Sequence, residues 1–282
     1  MSIVYLNGQF MPVEEAKVSV LDRGFLFGDG VYEVVPVFNG KTFRFAEHLR
    51  RLDNSLQSIR INNPLSHEQW RSLVATLVER NGSGSQIVYF QITRGLAPKR
   101  DHVPTQPLTP TVFAMSNAVV RDNHKPIAVV TVDDIRWQWC NVKSIALLAN
   151  VMMRMNAAEQ GAYEALLVRD GLVTEGAASN VFIVRDGKVI TPPHSKCLLP
   201  GVTRDLLVQI LPQHGIECVE RAIDVSELDL ADEIWVTGSS REIAPVTTVN
   251  HHKVGAGEPG TLWKRAVAIY EAFRDAAIAA EA

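Results

Sequence analysis

Two turn dipeptides constrain this chain more than any other feature. Asn39-Gly40 follows the strand-like run Gly30–Phe38 and precedes a second at residues 42–45, and Asp186-Gly187 lies between Asn180–Arg185 and Lys188–Thr191. A two-residue hairpin turn needs positive φ at both centres, which Asn, Asp and Gly tolerate, so each dipeptide predicts a tight hairpin. Strands that meet mostly through hairpins, with helices interspersed, argue for an α+β chain rather than a doubly wound parallel sheet.

Residues 3–6 and 8–12 are also strand-like. Leu49, Leu52, Leu56 and Ile59 form one stripe that predicts a helix over 46–59, and Ser66 with Gln69 reads as a capping box opening a helix over 67–81. Strands at 86–93 and 111–116 are divided by the turn-rich GLAPKRDHVPTQPLTP. A polar passage then marks an interdomain linker at 119–126, between an N-terminal domain (1–118) and a C-terminal domain (127–282). In the second domain the pattern predicts strands at 127–133, 165–169, 172–174, 180–185, 188–191 and 232–236, and helices at 144–160, 203–214 and 260–280.

Composition narrows the partners. The net charge is -3 with acids and bases dispersed, and no basic stripe, RNA-binding aromatic motif or zinc-finger spacing stands out, so nucleic acid is not an expected partner. Cys140, Cys197 and Cys218 are an odd, scattered trio that makes neither a disulfide framework nor a metal knot, which favours a reducing compartment. The start lacks the pattern of a signal peptide, and no run approaches the roughly 18 apolar residues of a membrane span. The expectation is a cytoplasmic protein with no membrane segment.

Lys143, in CNVKSIALLANVMM, opens the apolar run read as the 144–160 helix, and its nearest upstream acid is Asp134. A cation at a helix N-terminus is unfavourably placed, and apolar neighbours disfavour its charge further. A neutral lysine amine is a nucleophile suited to a Schiff base. Glu175, in VTEGAASNVFIV, ends a strand before small residues, where its carboxylate faces open space or a ligand; beside a pyridine nitrogen it would keep the ring protonated. LLPGVTRDLL sets Gly201, Val202 and Thr203 at a helix start suited to an anion, and Gly238, Ser239 and Ser240 in TGSSRE suit a backbone nest. Arg50 or Arg51 of the 46–59 helix could add a guanidinium fork. His251 and His252 lack a third ligand at useful spacing, and no metal site is expected.

Seven ordered blocks carry a family resemblance: DRGFLFGDGVYEVVPVFNGK, HLRRL, QITRG, DIRWQWCNVKS, EALLVRDGLVTEGAASNVFIV, LLPGVTRD and VTGSSREIAPV. Together they resemble the pyridoxal-phosphate aminotransferases of the branched-chain and D-amino acid type (fold type IV), and most closely the D-amino acid branch. The resemblance implies two domains, the larger with a mixed, barrel-like sheet, and a cofactor between them. It implies that Lys143 binds pyridoxal 5'-phosphate covalently, that Glu175 pairs with the ring nitrogen, and that Arg51, Thr203 and Ser239 bind the phosphate with the Val202 N–H assisting. Leu199, Ser179 and Asn180 would line the ring. Ala177 and Ala178 replace serines usual in that turn, so their hydroxyls are missing. Tyr32 with Arg100 and His102, the latter two on a loop reaching the neighbouring subunit of a homodimer, would hold the substrate carboxylate; counted without a gap from Thr93, Lys99 and Asp101 take those two places instead. The implied reaction moves an amino group between a D-amino acid and a 2-oxo acid such as pyruvate or 2-oxoglutarate. The alternatives are an L-branched-chain aminotransferase, an (R)-amine transaminase, aminodeoxychorismate lyase and a non-catalytic binding protein.

Overall fold

The computed structural model describes residues 2–120 and 124–280, which form two compact units. The first holds residues up to 120 together with Val142–Ala146; the second holds the stretch up to Asn141 and Leu147–Ala280. The segment carrying Lys143 therefore belongs to the first unit, although it follows the second unit's first strand. Residues 121–123 of the expected linker lie outside the described residues.

In the first unit β1 (Ile3–Leu6), β2 (Gln9–Pro12), β3 (Gly30–Phe38), β4 (Lys41–Thr42), β5 (Gln86–Thr93) and β6 (Thr111–Ala118) form one antiparallel sheet in the order β2-β1-β6-β5-β3-β4. Asn39 (φ 49°) and Gly40 (φ 81°) make the hairpin between β3 and β4. A short helix, α1 (Arg23–Phe27), is capped by the Asp22 side chain. Helices α2 (Phe45–Ser58) and α3 (His67–Arg80) supply Leu49, Leu52, Leu56, Trp70 and Leu77 to a core that also takes Val31, Val35, Val88 and Phe90 from the sheet. The Ser66 capping box is formed as expected. Because side chains alternate along a strand, Glu33 shares the core-facing side of β3 with Val31 and Val35, while Tyr32 faces the other way.

The second unit contains β7 (Ile127–Asp133), α4 (Leu148–Glu159), β8 (Glu164–Arg169), β9 (Leu172–Gly176), β10 (Asn180–Arg185), β11 (Lys188–Thr191), α5 (Val202–Ile210), β12 (Cys218–Glu220), β13 (Ile223–Asp224), β14 (Glu233–Gly238), β15 (Glu242–Val249), β16 (His252–Lys253) and α6 (Thr261–Ala280). Its sheet runs β12-β11-β10-β14-β15-β7-β8-β9-β13, with β16 on β15. Hairpins dominate, but β11 with β12, β15 with β7 and β7 with β8 are parallel, so the sheet is mixed. β12 and β13 stand at opposite ends of that order, yet only Arg221 and Ala222 separate them in sequence. A flat sheet of this order would be roughly 40 Å wide, and so short a link reaches only about 10 Å. The sheet must therefore curl until its edges approach, which is the barrel-like form expected.

One expectation about Lys143 fails. The helix predicted over 144–160 begins only at Leu148, and Lys143 is not at its N-terminus. Residues 142–146 instead run beside β3: Tyr32 N–H donates to Lys143 O (3.0 Å), Ile145 N–H to Gly30 O (3.1 Å), and Ser144 bridges Val31. Helical period continues the pattern upstream in the sequence, but backbone pairing with a strand wins locally. α4 buries Met153 and Ala157, while Leu148, Val151, Met152 and Met155 are exposed along one stripe. No helix among the described residues is long and apolar enough to cross a membrane.

Candidate active site

Lys143 is half-buried, and its Nζ lies 4.2 Å from the centroid of the Tyr32 ring. Among the described residues no carboxylate pairs with it. Its backbone N–H donates to Ser55 Oγ of α2 (3.2 Å), fixing the segment from the helix side as well as from β3. Tyr32 stacks on Tyr89 at 5.6 Å between centroids, and the Tyr89 hydroxyl donates to Gln91 Oε1 (2.7 Å). Burial, with the Tyr32 phenol beside it, pushes the Tyr89 hydroxyl up to about 12, so it remains a donor at neutral pH.

Of the arginine pair on α2, Arg50 is exposed and bonds Glu47, whereas Arg51 turns inward. Arg51 Nε and Nη2 donate to the two oxygens of Glu33 (2.7 and 2.8 Å), and His48 Nδ1 lies 2.8 Å from Glu33 Oε2. Burial alone would raise the Glu33 carboxyl, but Arg51, and after it His48, hold it far below the usual carboxylate range. Burial also holds the His48 imidazole below its ordinary value, and the nearby positive charges of Arg51 and Lys143 act in the same direction against Glu33. The expected phosphate-binding Arg51 is thus oriented by a fully buried carboxylate. Sequence reasoning misses Glu33 and His48; the signal available was a charged residue in the inward register of β3, and a histidine three positions before Arg51 on the same helix face.

Arg100 and His102 are exposed, and both lie on the Phe27 ring: the Arg100 guanidinium is 5.0 Å from its centroid and the His102 ring 5.3 Å. The alternative pair, Lys99 and Asp101, is engaged with itself in solvent at 3.2 Å. An aspartate cannot attract a carboxylate, and a lysine so neutralised attracts one weakly.

In the second unit Glu175 ends β9 nearly buried. Arg136 Nη1 donates to its Oε1 (2.5 Å), and its Oε2 accepts from the Leu199 N–H (3.0 Å) and Asn180 Nδ2 (3.2 Å). Asn180 also donates to Leu199 O (2.9 Å), so the structure brings Glu175, Asn180 and Leu199 together. Ser179 turns toward Glu164 instead, to whose carboxylate its hydroxyl donates (3.0 Å). Arg136 is held in turn by Asp134 (2.9 Å to Oδ1, 2.9 Å to Oδ2), which also pairs with Arg169. Burial would weaken the Arg136 cation, but Asp134 and Glu175 hold it more firmly protonated than an ordinary arginine. Sequence reasoning gives Arg136 no role; its signal was a charged Asp-x-Arg set directly after an apolar strand.

Gly201 caps α5, and a Cβ there would collide with the Asn180 side chain, so the chain passes close to Asn180 just before the N–H groups of Val202 and Thr203, which have no partner within the helix. Both Val202 and Thr203 are buried. Ser239 and Ser240 form the turn between β14 and β15, and Gly238 at its start lies against Ala178. The Thr237 hydroxyl, opposite Asn180 in the sheet, is buried and has no hydrogen-bond partner among the described residues.

The family model for amino-transferase class IV matches residues 30–249. The chain is similar to the D-alanine aminotransferase of Bacillus licheniformis, with 38% identity over 264 residues covering 93% of each protein. It is similar to that of Staphylococcus epidermidis, with 35% identity covering 94% of this chain and 95% of the relative. Among solved structures it resembles the T.th. branched-chain amino acid aminotransferase complexed with N-(5'-phosphopyridoxyl)-L-glutamate, with a TM-score of 0.89 and 28% identity over 95% of this chain and 92% of the other. The branched-chain enzyme of Escherichia coli gives a TM-score of 0.86 with 26% identity, over 94% and 92% of the two chains. With the family model matching most of its length and relatives more than one-third identical, the chain belongs to the class IV aminotransferases.

Proposed function

We propose that the protein is a pyridoxal-phosphate-dependent transaminase that moves an amino group between D-amino acids of the D-alanine type and 2-oxo acids, as a cytoplasmic homodimer. The observation that carries the reading is Lys143, a half-buried amine against Tyr32 with no carboxylate partner among the described residues. A lysine spared an ion pair in this way is available to bond a carbonyl carbon.

The residues present fit the cofactor. The orphaned Thr237 hydroxyl, the N–H groups of Val202 and Thr203, and the Ser239-Ser240 turn supply donors suited to a phosphate. Arg51 would add its guanidinium, oriented by Glu33. Glu175, held beside Arg136, would accept from a protonated ring nitrogen, and Leu199, Ser179 and Asn180 would line the ring. When bound, pyridoxal phosphate supplies the electron sink that makes the amino acid's Cα–H acidic. Lys143 Nζ would tether the group and, once released, would take the proton from the substrate Cα. Tyr32, with Arg100 and His102 of a neighbouring copy, would fix the substrate carboxylate and so determine which face of Cα meets the lysine. The exposed α4 stripe of Leu148, Val151, Met152 and Met155 supports self-association, because such a patch rarely stays bare.

The branched-chain structural neighbours favour a second reading, an L-amino acid donor. A donor panel separates the two. Purified protein with pyruvate or 2-oxoglutarate should consume D-alanine or D-glutamate and leave L-leucine; turnover of L-leucine without D-alanine would establish the second reading instead.

A further inference from the structure

We infer that Arg23 is a positioning residue for the loop that presents Arg100 and His102; the inference rests on the reading that those two side chains hold the substrate carboxylate. Arg23 is only 5% exposed, and each of its three guanidinium nitrogens donates a hydrogen bond. Nε donates to Asp29 Oδ2 (2.7 Å), Nη1 to Asp101 O (2.5 Å) and Nη2 to His102 O (2.8 Å). The fork therefore grips two consecutive loop carbonyls from a fixed carboxylate behind it. Holding adjacent carbonyls fixes the peptide between them, and with it the directions in which the neighbouring side chains leave the backbone.

Those directions are sorted. Arg100 and His102 lie on Phe27, the last residue of α1, whose ring centroid is also 4.9 Å from the Arg23 guanidinium. Lys99 and Asp101 pair with each other away from it. Asp29 is fixed as well, since Arg94 donates to both its oxygens (2.8 and 2.9 Å) and reaches Ile59 O (2.7 Å). Burial would raise the Asp29 carboxyl, but Arg94 and Arg23 together keep it below the usual range and hence ionised.

The residue before Arg23 anchors the other end of the same loop. Asp22 accepts from the hydroxyls of Thr93 (3.1 Å) and Thr111 (2.7 Å), which stand opposite each other where the loop leaves β5 and enters β6. Gly95, at φ 101°, closes that base so tightly that a Cβ would strike Thr109 O. Asp22 thus fixes the base and Arg23 the tip. A buried and a half-buried arginine facing one aspartate are a costly way to stabilise a surface loop that an apolar residue could fill. The arrangement makes sense if the position of the tip matters more than its stability.

The test is a double-mutant cycle on the holoenzyme with D-alanine as donor, using Arg23→Gln, Arg23→Lys, Arg100→Ala and the combinations. Arg23→Lys keeps a cation beside Asp29 but cannot fork to two carbonyls, so it serves if the glutamine variant does not fold. Either Arg23 variant should raise KM for D-alanine roughly ten- to a hundredfold, the effect of about 1 Å of misplacement, while kcat changes little and cofactor content stays at the wild-type level. In the Arg100→Ala background the same change should add almost nothing, because Arg23 acts through that loop. Amides of residues 99–103 should exchange hydrogen faster in both Arg23 variants. An unchanged KM, or full additivity with Arg100→Ala, overturns the inference. If Arg100→Ala itself leaves KM unchanged, the carboxylate reading falls and takes the inference with it; unchanged exchange with a raised Arg100→Ala KM overturns the inference alone.

Discussion

The two units handle buried charge in opposite ways. In the first, one carboxylate, Glu33, faces Arg51 and His48 from a single turn of α2, and a second cation, Lys143, has no carboxylate partner among the described residues. In the second, Glu175 is gripped by donors from three separate segments: Arg136 after β7, Asn180 on β10 and Leu199 before α5. The difference separates an amine kept available for bonding from a carboxylate held in place by converging donors. If this comparison is right, removing Lys143 should abolish chemistry without harming the fold, and removing Arg136 should harm both.

The largest expected effect is that of Lys143→Ala. Deleting the one residue that tethers the cofactor and moves the proton should lower transamination by roughly 10³-fold or more. Borohydride should no longer fix the cofactor to the chain, and thermal stability should stay near the wild-type value; a borohydride-reducible linkage in this variant would refute the assignment. Next comes Arg136→Met, which removes the cation beside the nearly buried Glu175 carboxylate. Breaking a buried pair from one side costs about 3–5 kcal/mol, read as a lower denaturation midpoint, and activity should fall with it. If Arg136→Met is as stable as the parent, Glu175 is not held in the way described.

Much of the frame was legible because its signals are local. Asn39-Gly40, Asp186-Gly187 and the Ser66–Gln69 box each act within a few residues, and the structure forms each of them. β15 was not legible. Its central position in the sheet includes Pro245, paired opposite Trp235, and a proline is a standard argument against a central strand. The start of α4 was misread because helical period says nothing about a neighbouring strand edge, which here captures residues 142–146. Resemblance singles out Glu175, Asn180 and Leu199 one by one, but neither their mutual hydrogen bonds nor Arg136, whose partner stands 39 residues away.

Two smaller effects sharpen the first-unit half of the comparison. Glu33→Gln removes the charge that orients Arg51 and leaves that guanidinium buried without its counter-ion, so stability at neutral pH should fall by about 3 kcal/mol. The pH dependence should change as well. Because folding depresses the Glu33 carboxyl, its contribution is fully present above the unfolded value of about 4.3 and is lost as pH falls below it. The Glu33→Gln variant should therefore lose less stability than the parent as pH falls below about 4. A parent and variant with parallel acid limbs would show that Glu33 is not the titrating group.

The smallest effect belongs to His48, and it tests whether the cluster is electrostatically one unit. Folding lowers the His48 imidazole, so below about pH 6.5 the unfolded chain takes up a proton that the folded chain resists. Stability should thus be independent of this residue above about pH 6.5 and decline as pH falls through that value. Replacing His48 with Gln, which can still donate to Glu33, should flatten that decline by about 1 kcal/mol for each pH unit over which the folded imidazole stays neutral. The same substitution in a Lys143→Ala background should flatten it less. Without the Lys143 charge the folded imidazole protonates more readily, and the penalty that His48→Gln removes is smaller. Equal flattening in both backgrounds would mean that the Lys143 charge does not reach His48, and that the first unit's cluster is two separate pairs rather than one.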